Sequence, residues 1–457
     1  MQRRDFLKQA LTSTIGMGLA TSGAMLGQFS LAKAALADTN NKFVDYKALV
    51  CVYLAGGNDS MNMIIPTDNN MYKTYASAKQ TLAIPFDQLL KINPRNSNTY
   101  AVGLNNNLPK VRNLFSTGRL GIIANVGTLR RRVTKAEMNR LDLLPPQLFS
   151  HNDQTAHWMR GNLDTSQYTG WAGRMADMIS TTAVPMNFSL NGTNRLQVGA
   201  KSAPFTLGVD GVVDFSSLRA SELRKKTFER LNRQAELQGN PLVSAYATAF
   251  SDMQANVTFV KGVLEGADSS KVGIPADNDL AAQLNHVANL IGQQDELKQT
   301  RQVFFVKLSG WDTHDDQKED HAALLKTLDD ALSYFDRRLN ELGKQNAVTT
   351  FTMSEFGRTL SSNGDGTDHG WGGHQFVMGG AVAGGNIYGT LPDLTLGGRD
   401  DQGSAGRIIP STASDQMTST LLRWFGLSAG QVQELLPNLT NFDIPDLGFM
   451  KYTTHVR

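Results

Sequence analysis

The run Ala48-Leu49-Val50-Cys51-Val52-Tyr53-Leu54, with the turn Ala55-Gly56-Gly57-Asn58-Asp59-Ser60-Met61-Asn62 that follows it, decides the fold. An unbroken apolar run of strand length reads as a strand buried on both faces, and the switch to small and polar residues ends it. Three more runs share this character, at 119–125, 302–308 and 347–353. Helical periods lie between them. Residues 317–343 place Ala323, Leu324, Leu328, Ala331, Leu332, Phe335 and Leu339 on one side of a long amphipathic helix. Further helices are predicted over 218–238, 241–265 and 277–298. Strands alternating with helices predict an α/β fold, a mostly parallel central sheet sandwiched by helices. Residues 195–215 read as a small β-rich excursion, and the Gly-rich stretch 363–389 as a shaped loop.

The start of the chain reads as an address. Arg3 and Arg4 precede Asp5, Phe6, Leu7 and Lys8, which resembles a twin-arginine export signal. No residue from Ala10 to Ala32 is charged, and Ala35-Leu36-Ala37 offers a small-x-small cleavage site before Asp38. A basic start, a mildly apolar stretch and such a site predict a signal peptide over 1–37, not a membrane span. The expected location is the periplasm. Residues 38–457 then form a single domain with a helical insertion around 215–300.

The whole chain carries a formal charge of +2, but residues 1–37 hold +3, so the remainder is −1. A near-neutral chain gives no electrostatic reason to expect nucleic acid or an anionic membrane as partner. No later stretch is long and apolar enough to span a bilayer. The one cysteine, Cys51, sits in the first strand and is expected to be a buried, inert thiol.

Polar residues cluster just after the strand runs. Asp59 follows the first, Asp312-Thr313-His314 the third, and Glu355-Phe356-Gly357-Arg358 the fourth; Asp368-His369 and His374 come next. In open parallel sheets, ligands bind outside the carboxyl ends of the strands. Asp59, Asp312 and Glu355 therefore emerge at one edge. Converging carboxylates repel unless a positive charge sits among them. Carboxylate oxygens and imidazole nitrogens together suit a divalent ion such as zinc, manganese or iron. The expected ligands are Asp59, Asp312, His314, Asp368, His369 and His374.

A nucleophile candidate is Ser150, in Leu148-Phe149-Ser150-His151-Asn152-Asp153-Gln154. At a helix start, backbone N–H groups would hold a phosphate or sulfate ester beside it. Plainer readings exist for each residue. Ser150 serves equally as a helix cap, Asp59 as a cap or turn residue, and Glu355 with Arg358 as a simple ion pair.

These stretches, with Gly170-Trp171-Ala172-Gly173-Arg174 and Gly379-Gly380 through Gly389, resemble one family across residues 48–390. It is a group of twin-arginine-exported bacterial proteins, with a Ser354-Glu355-Phe356-Gly357-Arg358-Thr359 type of motif, placed in the alkaline phosphatase and sulfatase superfamily. The resemblance implies an alkaline-phosphatase-like fold, two metals, Asp and His ligands, and a Ser or Thr nucleophile. Asp59 matches the first-strand metal ligand, and Asp312 with His314 the later Asp and His pair at a shorter spacing. Glu355-Phe356 stands where the superfamily shows Asp-His, and an aromatic cannot ligate a metal. Asp368-His369 stands in for that pair, or His369 or His374 matches the last histidine. Asn152 stands where an aromatic is usual.

Two functions follow. The first is a periplasmic metal-dependent hydrolase of phosphate or sulfate esters acting on a small-molecule, glycan or lipid ester. In it Ser150 attacks, Arg358 steadies the anion, and Glu355 is a metal ligand or general base. The second is a non-enzymatic binding or assembly protein on an enzyme-derived fold. In either case the translocase of the twin-arginine route is a partner during export.

Overall fold

Strand β1 (Lys47–Ala55) has neighbours on both sides, and this placement organises the rest. A computed structural model describes residues 43–96, 101–180, 182, 184–208, 211–212, 221–236, 240–266 and 273–452. The export signal expected over 1–37 lies outside the described residues. Ala48, Val50, Val52 and Leu54 of β1 face one core, while Leu49, Cys51 and Tyr53 face the other. Alternation with both faces apolar is what a central parallel strand requires.

The other strands of the central sheet are β2 (Leu120–Gly127), β3 (Asn187–Ser189), β4 (Phe205–Gly208), β5 (Gly211–Val212), β6 (Arg301–Ser309), β7 (Val348–Met353), β8 (Gly373–Met378), β9 (Ile387–Tyr388) and β10 (Thr412–Ala413). Their order is β9-β2-β8-β7-β1-β6-β3-β4-β5, and β10 also pairs with β2. β1 runs parallel to both β6 and β7, with Cys51 opposite Phe305 and Phe351. Only β8 and β5 run against the rest. The predicted α/β fold with a mostly parallel sheet between helices is therefore what forms.

Helices cover both faces. On one lie α2 (Pro109–Ser116), α6 (Pro241–Glu265), α7 (Asp279–Gly292) and α8 (Gln317–Glu341). On the other lie α3 (His151–Arg160), α4 (Trp171–Ile179), α9 (Ser414–Phe425) and α10 (Ala429–Leu435). Helix α1 (Asn69–Lys79) packs outside the sheet edge, and α5 (Glu222–Glu236) pairs with α6. No described helix is long and apolar enough to cross a membrane. Cys51 is buried and free, and burial pushes its thiol well above the ordinary range.

One reading changes. The stretch 363–389, expected as a loop, contains strand Thr367–His369 and strands β8 and β9. Close approach needs glycine here: a Cβ on Gly372 would run into the Asn125 side chain, and one on Gly357, which precedes the stretch, into the Gly372 carbonyl. Phe376, Val377 and Met378 are buried between β2 and β7.

Helix α2 is capped from a distance. Its own N-cap residue, Leu108, offers no side-chain acceptor. Asp329, on α8, accepts hydrogen bonds from Val111 N at 2.7 Å and Lys110 N at 3.2 Å instead. Asp329→Ala leaves both donors without this acceptor, and we expect a loss of about 1–2 kcal/mol. A urea midpoint that drops with unchanged slope would show it, and a midpoint equal to the parent's would refute the cap.

Candidate metal centre

The parallel pairing of β1, β6 and β7 brings three strand ends to one edge. Gly56 and Gly57 follow β1 with φ of 127° and 87°, in the left-handed region that favours glycine. A Cβ on Gly56 would collide with the Asp312 backbone, and one on Gly57 with the Phe356 ring. These glycines let the loops after β6 and β7 close over the end of β1.

Four side chains meet there. His369 Nε2 lies 3.0 Å from His151 Nε2, 3.0 Å from His314 Nε2 and 3.2 Å from Asp312 Oδ1. Asp312 also reaches His314 Nε2 at 3.1 Å and, through Oδ2, His151 Nε2 at 3.3 Å. His151, Asp312 and His369 offer ligand atoms all within 4.8 Å of one another. The three histidines are part-buried and Asp312 is exposed, so the centre opens to solvent.

The outer ring nitrogens are held from behind. His151 Nδ1 faces Glu355 Oε1 at 2.8 Å, and His369 Nδ1 faces the Phe149 carbonyl at 2.8 Å. His314 Nδ1 lies 3.6 Å from Asp368 Oδ1. A carbonyl or carboxylate oxygen only accepts, so Nδ1 of His151 and of His369 carries the proton. In the neutral rings both Nε2 atoms then present lone pairs to each other and to a carboxylate. That arrangement can hold a cation at the middle, and a carboxylate or carbonyl behind each imidazole is the usual support of a metal-bound histidine. A set of imidazole nitrogens and one carboxylate oxygen fits zinc or a similar divalent ion.

The hydrogen bond to Glu355 raises the His151 pKa, whereas burial lowers that of His369. Burial pushes Asp312 upward, but the hydrogen bond and charge of Arg358 outweigh it and hold the carboxyl below its ordinary value. Phe356 packs against the rings of His151 and His369, with centroids 4.8 and 4.7 Å away. The aromatic that cannot ligate thus orients two residues that can. Phe149 has φ of 70°, and this left-handed backbone brings its carbonyl to His369.

Several expected residues have other work. Asp59 is fully buried, and its Oδ2 accepts from Lys79 Nζ at 2.6 Å and Gln317 Nε2 at 2.6 Å. The Lys79 ammonium group faces Oδ2, and the buried Oδ1 has no hydrogen-bond partner. His374 is buried on β8, where its Nδ1 accepts from Asn125 N at 3.1 Å. Arg358 is buried and engaged by Asp312 at 2.6 Å, the Gly56 carbonyl at 3.1 Å and Thr367, so it braces Asp312 and meets no open space for an anion. Glu355 serves His151 and the Gly56 amide, not the centre directly. Asp368 stands behind His314. Ser150 caps α3, its Oγ accepting from Asp153 N at 3.5 Å, and donates to Asp153 Oδ2 at 2.6 Å.

His151 was not among the predicted ligands, although it directly follows Ser150. A histidine at the first position of a helix that starts at the sheet edge was the available signal. Lys79 carried no signal, since a lysine in the last helical turn ordinarily faces water.

Two buried histidines make the fold acid-sensitive. Burial lowers both His374 and His321 from 6.5 to about 4, and His321 Nε2 meets Asn58 Oδ1 at 3.0 Å. The unfolded chain takes up protons that the native state refuses, so stability is full above about pH 6.5 and falls as pH drops toward 4. His374→Gln should show a smaller loss of stability between these limits than the parent in urea titrations. An equal loss in both would remove His374 from this account.

Comparisons with solved structures find distant likenesses. A protein described as Ps i-CgsB is 8% identical with a TM-score of 0.37, covering 87% of this chain and 77% of that one. The lipoteichoic acid synthase LtaP from Listeria monocytogenes is 7% identical, TM-score 0.35, covering 84% and 73%. The PsFucS1 sulfatase from Pseudoalteromonas sp. is 10% identical, TM-score 0.32, covering 77% and 66%. No curated protein matches. The family described as "Protein of unknown function (DUF1501)" matches residues 46–426, nearly all of the sheet and every group of the centre, and the chain belongs to that family.

Proposed function

We propose that this protein is a metal-dependent hydrolase of phosphate or sulfate esters that works in the periplasm, with residues 1–37 directing its export through the twin-arginine translocase. The observation that carries the reading is the meeting of His151, His369 and Asp312, with bare Nε2 atoms fixed by acceptors on their far sides. In this reading His151, Asp312, His369 and His314 would hold a divalent ion such as zinc or manganese. When bound, the ion supplies positive charge for the non-bridging oxygens of the ester.

The chain's own groups divide the rest. Arg358 and Glu355 are positioning residues: one fixes Asp312, the other fixes the tautomer of His151. Asp368 steadies His314 at the solvent side. Ser150 is the proposed nucleophile. Its Oγ forms the bond to phosphorus or sulfur, its proton passes to Asp153 Oδ2, and the ester's alcohol oxygen leaves and takes a proton from water. Water then attacks the Ser150 ester and releases the acid, Asp153 returns its proton to Ser150 Oγ, and the proton that water loses neutralises the hydroxide left by the first step.

A second reading, a binding or assembly protein on an enzyme-derived fold, is favoured by one observation. The Arg358 guanidinium is fully engaged within the protein and none of it reaches solvent. The same assays separate the two.

Elemental analysis of purified residues 38–457 should find an ion that His369→Ala loses. A protein with no bound ion, and no phosphatase or sulfatase activity after zinc or manganese is supplied, would sink the hydrolase reading. Ser150→Ala should keep the ion, lose about 1 kcal/mol as a cap, and lower kcat by roughly 1,000-fold or more if Ser150 attacks. Activity within about twofold of the parent would leave Ser150 as a cap alone.

A further inference from the structure

Beside the centre lies a pocket of about 380 Å³, inside the range of roughly 300–1,000 Å³ typical of small-molecule sites. It is built from Tyr53 of β1, Phe305 and Lys307 of β6, one face of α3, and the loop after β3. Helix α3 links it to the centre. Thr155 lines the pocket one turn after His151 and so shares its side of the helix. Tyr53, whose hydroxyl meets Thr155 Oγ1 at 2.7 Å, closes the wall on the sheet side.

The chemistry of the lining is specific. Asn152, Asn191 and Thr193 make no side-chain hydrogen bond to another described residue, so two carboxamides and a hydroxyl are free for a ligand. Phe305 and Tyr53 form a packed apolar floor, both rings almost wholly buried and their centroids 5.9 Å apart. Arg195 and Lys307 are cationic, neither has an ion pair among the described residues, and no carboxylate lines the pocket. Arg195 also sits 6.0 Å from the ring of Tyr168, which is 77% exposed. Free amides and hydroxyls suit sugar hydroxyls, and unpaired cations suit an acidic group.

We propose that this pocket is a saccharide subsite, holding the rings of an anionic glycan whose ester group reaches the centre one helical turn away. The proposal rests on the ester-hydrolase reading for its purpose, but its residues are distinct from those of the centre.

The test is calorimetric titration of the mature chain with a heparin-derived sulfated tetrasaccharide and with neutral maltotetraose. Lys307→Ala/Asn191→Ala should bind the sulfated probe about tenfold more weakly while its ion content matches the parent's. His369→Ala should lose the ion and still bind that probe. Parent-like binding by the double variant, or stronger binding of maltotetraose than of the sulfated probe, would overturn the subsite. If the double variant loses the sugar but the parent holds no ion and cleaves no ester, the subsite stands and the hydrolase reading fails.

Discussion

The central constraint is that β1 is hydrogen-bonded on both sides by parallel strands, β6 and β7. Parallel neighbours end together, so the loops carrying Asn58-Asp59, Asp312-Thr313-His314 and Glu355-Phe356 leave the sheet at one edge. Had either neighbour run antiparallel, its loop would emerge at the opposite edge and Asp312 and Glu355 would be a strand length apart. Both faces of β1 are apolar, which fixes the strand between two helical layers and leaves its end as the place where polar groups can gather.

At that edge the outer atoms matter as much as the inner ones. An imidazole turned by about 180° about its Cβ–Cγ bond would present a different atom to the centre. Glu355 and the Phe149 carbonyl prevent this by accepting from Nδ1 of His151 and His369. Phe356 prevents tilting by packing on both rings. Arg358 fixes Asp312 while being buried itself, which places a full positive charge close to the centre and keeps the carboxylate ionised.

The sheet was largely legible because its central strands are continuous apolar runs whose ends the composition marks sharply. Predicted 302–308 and 347–353 correspond to Arg301–Ser309 and Val348–Met353. Strand β8 was not, because the glycines beside it look like loop punctuation, and only the packed sheet shows that Gly372 and Gly357 are small to admit neighbouring groups. At the site, Asp312, His314 and His369 were legible as polar residues following strands. The Phe149 carbonyl was not, since a backbone atom has no letter in a sequence. Lys79 was not, because its burial depends on α1 folding back against Asp59 across a contact that local pattern does not encode.

The same contacts explain how four acidic residues coexist near one strand edge. Asp59 has Lys79, Asp312 has Arg358, Glu355 has His151 and the Gly56 amide, and Asp368 lies near His314. Asp59 and Asp312 are balanced by cations, while Glu355 and Asp368 face imidazole nitrogens. A buried ion pair such as Lys79 with Asp59 repays its desolvation only when further hydrogen bonds complete it, here from Gln317 to Asp59 and from Lys79 to the Thr359 carbonyl. Asp59 Oδ2 is therefore occupied, while its buried Oδ1 has no hydrogen-bond partner. Of these carboxylates only Asp312 reaches the imidazole Nε2 atoms, so the one group of atoms that could hold a cation among the described residues is that of His151, His369 and Asp312.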